Sequence, residues 1–530
     1  MTDQICREGA VVAADGFAAE AGADILRRGG NAFDAMVAAV LVECVVQPHN
    51  VGLGGYAGTA VLYSAKDKAV VAVDLCGLAP LASTPDMFHG LAGVCRNSIR
   101  DGGPDSPNER GYLSLVAPPI VAGLSLLLER YGTMSFADVA QHAHQLAEEG
   151  FAVYPGFTGA FARFVELASP ESIRAMLPDS VVPNVGEVYK QKDLAAVIAR
   201  LRKEGPGAFY SGDIPRAISS AVRKHGGILD EADFMMVVPR FEKPLSVQCG
   251  DYEVFTPQPP AGGLTALQVL KVMDQLGPGE IESAPERYHT MIEATRHAWN
   301  DRRASFGDPL FVEIPVDDLL SDRHAADTLA RIRSGAKPPA SVADRAAAGH
   351  TVHLVTADKD RNIVSLTATQ GASLGSLVAI EGLGILMGNG MSRFDPLPGE
   401  PNSIAPGKRM QHNMSPLFVA REGRPYCATG LPGGRKIISV TAMLACAITK
   451  QRMTCTEAMD LPRFHVEGSE PAQVDSKELA AALKKECGDD YPVSSVATVG
   501  GMIAGVTIDP ETDDLLAASS GGSGNIASAD

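Results

Sequence analysis

The stretch AFDAMVAAVLVECVV, residues 32 to 46, is apolar on most faces of the helix it would form. Such a helix is not a surface element. It must be buried between layers, so the chain needs packing partners on both sides of it. Asn31 is placed to cap its start, and Gly29-Gly30 stops a preceding helix at Arg28. A chain of 530 residues, 45% of them hydrophobic, is long enough to supply the layers, as one large α/β unit or as two to four domains.

The rest of the chain fills in this picture. TAVLYSAKDKAVVAVD reads as two β-rich runs around a charged turn. From about Ala117 to Arg333 the pattern is mostly helical. Residues 334 to 349, SGAKPPASVADRAAAG, are small, polar and carry two prolines, which reads as an exposed loop. Strand-like runs follow: TVHLVTAD, NIVSLTAT, AIEGLGILMG, MSPLFVA and PYCATGLP. Helical pattern returns at IISVTAMLACAITKQ. Mixed strands with helices at both ends indicate a layered sheet protein of α/β or α+β type.

A net charge of −17 argues against a nucleic-acid or anionic-membrane partner. The nine cysteines (Cys6, Cys44, Cys76, Cys95, Cys249, Cys427, Cys446, Cys455 and Cys487) contain no C-x-x-C pair, which disfavours a zinc ribbon. Their scatter fits a reducing compartment. With no apolar run approaching the roughly 20 residues of a membrane span, the expectation is a soluble cytoplasmic protein without cofactor or metal.

The sharpest local signal is GHTVHLVTADKDRNIVSLTATQG, residues 349 to 371. Two strand-like runs flank DKDRN, which is turn chemistry. A hairpin folded about Asp360 pairs residues whose numbers sum to about 720, with partners about 5 Å apart. Thr351 then faces Thr369, and His353 faces Thr367. A one-residue slip would send Thr369 to the other face. Threonine is a good strand residue in its own right. Alternatively, a chain cut before Thr351 would expose an α-amino group of pKa about 7.7–8.0 beside the threonine's own hydroxyl, a base next to a nucleophile.

Other motifs compete. GASLG, Gly371 to Gly375, matches the nucleophile elbow of serine α/β-hydrolases, with Ser373 as nucleophile and Asp395 and His412 following in order; the elbow also requires a helix next. GLGGYA, Gly52 to Ala57, matches a dinucleotide fingerprint, but here a helix precedes it and a strand follows. TGLPGGRK, Thr429 to Lys436, stands before a helical pattern and fits a nest of backbone N–H groups for an anion or oxyanion. His142 and His144 read as an exposed helix feature.

Taken together, GGNAFDAMVAAVLVECVVQPHNVGLGG, TVHLVTADKDRNIVSLTATQG, GILMGNGMSRF, PGKRMQHNMSP, TGLPGGRKII and DLPRFHVEG resemble, in order, the motifs of the γ-glutamyltransferase family. The similarity runs from about Gly9 to the C-terminus. It implies an α+β, four-layer αββα N-terminal-nucleophile hydrolase whose precursor cuts itself between His350 and Thr351. Residues 1–350 would form a large subunit with helical insertions, and 351–530 a small subunit. The two stay associated, as a dimer of such heterodimers. Thr351 matches the nucleophile, Thr369 the threonine that hydrogen-bonds it, and Gly433 and Gly434 the oxyanion-hole pair. The implied chemistry is acyl transfer from a small-molecule amide.

Departures from the family pattern bear on the substrate. Cys76 stands where γ-glutamyl enzymes resemble one another in carrying an arginine, and Gly371 where they carry an asparagine. Gly390 and Arg393 replace a glutamine and an aspartate, and His412 and Asn413 replace two serines. The segment from Asp395 to Arg409 is shortened. An arginine at 393 would repel an ammonium and attract a carboxylate. The expectation is an amidohydrolase whose acyl group carries an anion and lacks the glutamyl α-amino group, with Arg393, Arg435 and His412 as anchors. Three alternatives remain: a γ-glutamyl hydrolase or transpeptidase, a serine hydrolase using Ser373, and an unprocessed binding protein.

Overall fold

The computed structural model describes residues 3–94, 106–339, 350–521 and 525–530. The proline-containing loop expected over 334–349 lies mostly outside these residues, as does Cys95. The eight described cysteines carry free thiols.

Helix Ala32–Val46 forms as expected, every residue of it buried. Asn31 caps it, accepting from the N–H groups of Phe33 and Asp34, and the Asp34 side chain returns the bond to complete a capping box. The preceding helix, Gly16–Arg27, packs beside it.

Two seven-stranded antiparallel sheets lie at the centre of the described residues. One runs Ile526–Ser528, Gly9–Val12, His350–Asp358, Ile363–Gly371, Ala57–Ser64, Ala69–Cys76, Arg240–Glu242. The other runs Gln4–Cys6, Leu515–Ser519, Ala504–Ile508, Arg424–Gly430, Leu417–Arg421, Tyr252–Thr256, Leu245–Cys249. Val12, Val61, Val355, Ile363, Phe418, Ala428 and Val506 interdigitate between the sheets. On the outer face of the first sheet, Val352, Leu354 and Leu366 pack with the helices Gly16–Arg27 and Ala32–Val46. Helices Gly263–Asp274, Ala284–Ser305 and Lys436–Lys450 cover the second sheet. The result is a four-layer αββα sandwich of α+β class.

The fold departs from the sequence pattern in two places. AIEGLGILMG is not one strand. It breaks into Ala379–Ile380 and Ile385–Leu386, because Gly382 and Gly384 adopt positive φ between them. The mostly helical middle also contains the strands Arg240–Glu242, Leu245–Cys249 and Tyr252–Thr256, whose alternation is too short to stand out against the surrounding helices. Among the described residues, no helix is long and apolar enough to cross a membrane.

Candidate active site

The turn of the central hairpin is fixed by Asp358. Its Oδ1 accepts from the N–H groups of Asp360 (2.9 Å) and Asn362 (3.0 Å), and its Oδ2 from Asn362 Nδ2 (2.8 Å) and Ala32 N (2.9 Å). The register that follows pairs Thr351 with Thr369 and His353 with Thr367. The ladder then shifts: His350 pairs with Gly371, so Gln370 is an extra residue and a bulge falls at the His350–Thr351 bond. Strand alternation sends Val352 and Leu354 to the helix side, and Thr351, His353 and Val355 between the sheets.

At the bulge, Thr351 and Thr369 are 8% and 3% exposed, and their hydroxyl oxygens lie 3.1 Å apart. Thr369 Oγ1 is also 2.7 Å from the carbonyl oxygen of His350 and 2.9 Å from the N–H of Gly371. A carbonyl only accepts and an N–H only donates. The single Thr369 proton therefore goes to the His350 carbonyl, and the Thr351 hydroxyl donates to Thr369. The same hydroxyl polarises the carbonyl before Thr351 and orients the oxygen after it.

The second sheet contributes the facing loop. Ser365 Oγ donates to the Thr429 carbonyl (3.1 Å), and a Cβ on Gly430 would stand 2.4 Å from the ring of His353. The strand Arg424–Gly430 thus leaves the sheet travelling toward the Thr351 end. Burial pushes the His353 imidazole down to about 3, so it stays neutral under the site. Beyond Gly430 the loop passes through Gly433 (φ 146°) and Gly434 (φ 62°) and enters helix Lys436–Lys450. Both glycines adopt positive φ directly before the start of the helix. A Cβ on Gly433 would meet Gly500 Cα at 2.9 Å, so the loop is held from behind.

Comparisons with known proteins show the family. The family profile described as Gamma-glutamyltranspeptidase matches residues 18–527. The chain belongs to the gamma-glutamyltranspeptidase family. It is 33% identical over 466 residues to the Acylase ACY 1 proenzyme of Pseudomonas sp. (strain SE83), covering 87% of this chain and 83% of that one. It is 30% identical over 480 residues to the Glutathione hydrolase proenzyme of Escherichia coli (strain K12), covering 87% and 81%. Among solved structures, the cephalosporin acylase from Bacillus halodurans superposes with a TM-score of 0.86 at 25% identity, over 98% of this chain and 95% of that one. The chain is accordingly an enzyme of the N-terminal-nucleophile hydrolase class, an amidohydrolase or transpeptidase.

Several family-suggested substrate residues gather around Tyr56, whose N–H donates to the Thr369 carbonyl at 3.2 Å. The Arg393 guanidinium stands 5.7 Å over the Tyr56 ring. Gly371 has φ 103°, and a Cβ there would stand 1.9 Å from Asn389 Oδ1 and 3.2 Å from Tyr56. Asn389, which the sequence reading passed over, thus occupies the space of a residue-371 side chain. It is held by donating Nδ2 to the Glu109 carbonyl (3.1 Å) and accepting from Ala372 N (3.1 Å). A Cβ on Gly390 would press on Val116. The Cys76 thiol is buried against Met410, 3.3 Å from its sulfur, and burial raises it well above an ordinary thiol. It is packing, with no thiolate to offer a ligand.

Two anchor expectations change. His412 is 3% exposed, and burial, then the charges of Arg302, Arg409 and Arg393, push its imidazole down to about 3. It is neutral and is no cationic anchor. Arg435 is spent elsewhere: it pairs with Glu467 and lies 4.9 Å over the Trp299 ring. Burial alone would raise the Glu467 carboxyl, but Arg435 and a hydrogen bond from His465 hold it at about 2. Asn413 lies within reach of the buried Arg302, whose Nη2 donates to its Oδ1 (3.5 Å) and to the His412 carbonyl (2.9 Å). Arg302 was not legible as a site residue, because its DRR context reads as a charged helix face.

The segment 395–409 is pinned by Arg409, 3% exposed, which pairs with Asp74 (2.7 Å) and Asp308 (2.7 Å). Asp74 lies two residues before Cys76, so this ion pair fixes the segment to the strand beside the site.

The competing motifs do not hold. GASLG is followed by turns and the two-residue strand Ala379–Ile380, so Ser373 has no helix behind it and no elbow forms. GLGGYA is the turn between helix Ala32–Val46 and strand Ala57–Ser64. His142 and His144 are half-buried rather than exposed, bonded to Asp24 (2.8 Å) and Arg202 (3.2 Å).

Proposed function

We propose that this protein is a self-processing amidohydrolase whose nucleophile is Thr351. Cleavage between His350 and Thr351 gives chains of residues 1–350 and 351–530. The new α-amino group serves as base for its own hydroxyl, at a pKa of about 7.7–8.0. Thr351 Oγ1 attacks the substrate amide carbon, Thr369 orients it, and the N–H groups of Gly433 and Gly434 receive the oxyanion. The amine leaves with the proton taken from Thr351. Water then attacks the ester, releases the acid and restores the hydroxyl. The observation that carries this reading is the Thr369 hydroxyl, which donates to the His350 carbonyl at 2.7 Å and accepts from Thr351 at 3.1 Å.

For the acyl group we place the anion at Arg393, which is half-buried and lies over the Tyr56 ring beside Thr369. A cation at this position disfavours an ammonium and favours a carboxylate. The substrate class is therefore an amide whose acyl part ends in a carboxylate and lacks a glutamyl α-ammonium.

Two anilides separate the possibilities. Glutaryl anilide is γ-glutamyl anilide without the ammonium. The expected kcat/KM ratio favours the glutaryl compound by about tenfold or more, the scale of one charge contact. Preference for the γ-glutamyl compound would make the protein a γ-glutamyl hydrolase instead. A preparation that stays one 530-residue chain would overturn self-processing.

A further inference from the structure

Asn50 sits where the two strands of the hairpin part. Gln370 is the extra residue of the bulge, and its N–H donates to the Asn50 carbonyl at 2.8 Å. On the other strand, His350 Nδ1 lies 3.1 Å from Asn50 Oδ1. One residue therefore holds both strands beside the bond between His350 and Thr351. Its amide is oriented in turn, since Nδ2 donates to Gln47 Oε1 at 2.5 Å. The oxygen then faces His350, and Nδ1 must carry the proton. Behind it, Gln47 bonds the Asp15 carboxylate, and the Asp15 N–H donates to Glu43 Oε1 at 2.9 Å. Gln47 is 8% exposed and Glu43 fully buried, so the network ends inside the sandwich.

We propose that Asn50 is a positioning residue for self-cleavage: by clamping the His350 imidazole it holds the His350 carbonyl at the Thr369 hydroxyl. The inference rests on the self-processing reading above. In the step concerned, Thr351 Oγ1 bonds to the His350 carbonyl carbon, the Thr351 hydroxyl proton passes to the Thr351 nitrogen, and the C–N bond breaks. An ester and a free amine result. Water hydrolyses the ester to the His350 carboxylate and the Thr351 hydroxyl. Asn50 makes and breaks no bond. Its part is geometric, and a misplacement of about 1 Å at a reacting carbonyl costs on the order of 10²-fold in rate.

The test follows cleavage of the freshly made full-length chain by intact mass, in a cycle of Asn50→Ala, His350→Ala and the double variant. Asn50→Ala is expected to slow cleavage by about tenfold or more with His350 present, and by less than about twofold in the His350→Ala background. Asn50→Asp keeps an acceptor oxygen and is expected to recover the rate to within about threefold of the native chain. Cleavage of Asn50→Ala at the native rate, or equal slowing in both backgrounds, overturns the clamp. Melting of Thr351→Ala with and without Asn50→Ala monitors folding; a shift beyond about 4 °C marks a general structural role and also overturns it. If the native chain is not cut at His350–Thr351, the self-processing reading falls and takes the clamp with it. If it is cut there and the cycle shows no coupling, only the clamp falls.

Discussion

The hairpin that carries Thr351 and the wall of residues around Tyr56 are built in different ways. The hairpin is local: Thr351 and Thr369 are brought together by one turn, whose Asp358 sets the register with three hydrogen bonds. The wall is assembled from Tyr56, Cys76, Asn389, Arg393, Met410 and His412, on segments that meet only in the folded sandwich. The contrast separates chemistry from selectivity. On the proposed reading a register places the nucleophile, whereas ion pairs and buried contacts far apart in sequence shape the wall that would select the substrate. Changes to the hairpin should strike turnover with whatever substrate is offered, and changes to the wall should strike fold or substrate choice.

The largest effect is expected in the wall's support. Arg409→Met leaves Asp308 buried without its cation and Asp74 with Arg240 alone at 3.4 Å, and removing one partner of such a pair costs about 3–5 kcal/mol. Chemical unfolding of the Thr351→Ala chain reads this. A loss below about 1 kcal/mol would show that the wall does not depend on it.

Thr369→Val tests the hairpin. It keeps the shape but removes the donor to the His350 carbonyl and the acceptor for Thr351. Both the cleavage rate and kcat are expected to fall about 10²- to 10³-fold, the scale of a lost transition-state donor. If only one of the two rates falls, the hydroxyl does not serve both reactions.

Arg393→Glu should act on selectivity. The glutaryl-over-γ-glutamyl preference is expected to fall by about tenfold, while stability stays within about 0.5 kcal/mol of the native protein, as for a half-buried residue outside the core. An unchanged preference would move the anion contact elsewhere in the wall.

At neutral pH the smallest effect is a pH dependence, which is absent there and grows only on acidification. His412 is held neutral in the fold at about 3, against about 6.5 in the unfolded chain. Below pH 6.5 the unfolded state takes up a proton that the folded state refuses, so stability falls as pH drops from 6.5 toward 3. His412→Asn removes that contribution. The stability of Thr351→Ala relative to Thr351→Ala/His412→Asn should decline by up to about 1.4 kcal/mol per pH unit across that window. A constant difference from pH 7 to pH 5 would mean that His412 takes up its proton in the fold as readily as in the unfolded chain.

How far the sequence foretold the site follows the same division. The Thr351–Thr369 register was legible because DKDRN marks the turn and antiparallel pairing then leaves little freedom. Helix Ala32–Val46 was legible from its apolar faces, and its burial pointed to layers on both sides. The wall was only partly legible. Cys76, Gly371, Arg393 and His412 stand out by departing from a family pattern, but their surroundings do not appear in any local window. That Asn389 fills the space over Gly371, that His412 is buried and neutral, and that Arg435 is engaged by Glu467 are all long-range facts. Asn50 left a faint trace, since QPHN interrupts an apolar run just after the helix, but nothing local ties it to His350, 300 residues away.

The most direct measurement is the mass of the protein quenched during turnover of glutaryl anilide. The account predicts two chains, the smaller beginning at Thr351 and carrying one glutaryl group on that residue, and no adduct in Thr351→Ala. An acyl group mapped to Ser373, or turnover by an uncut chain, would contradict it.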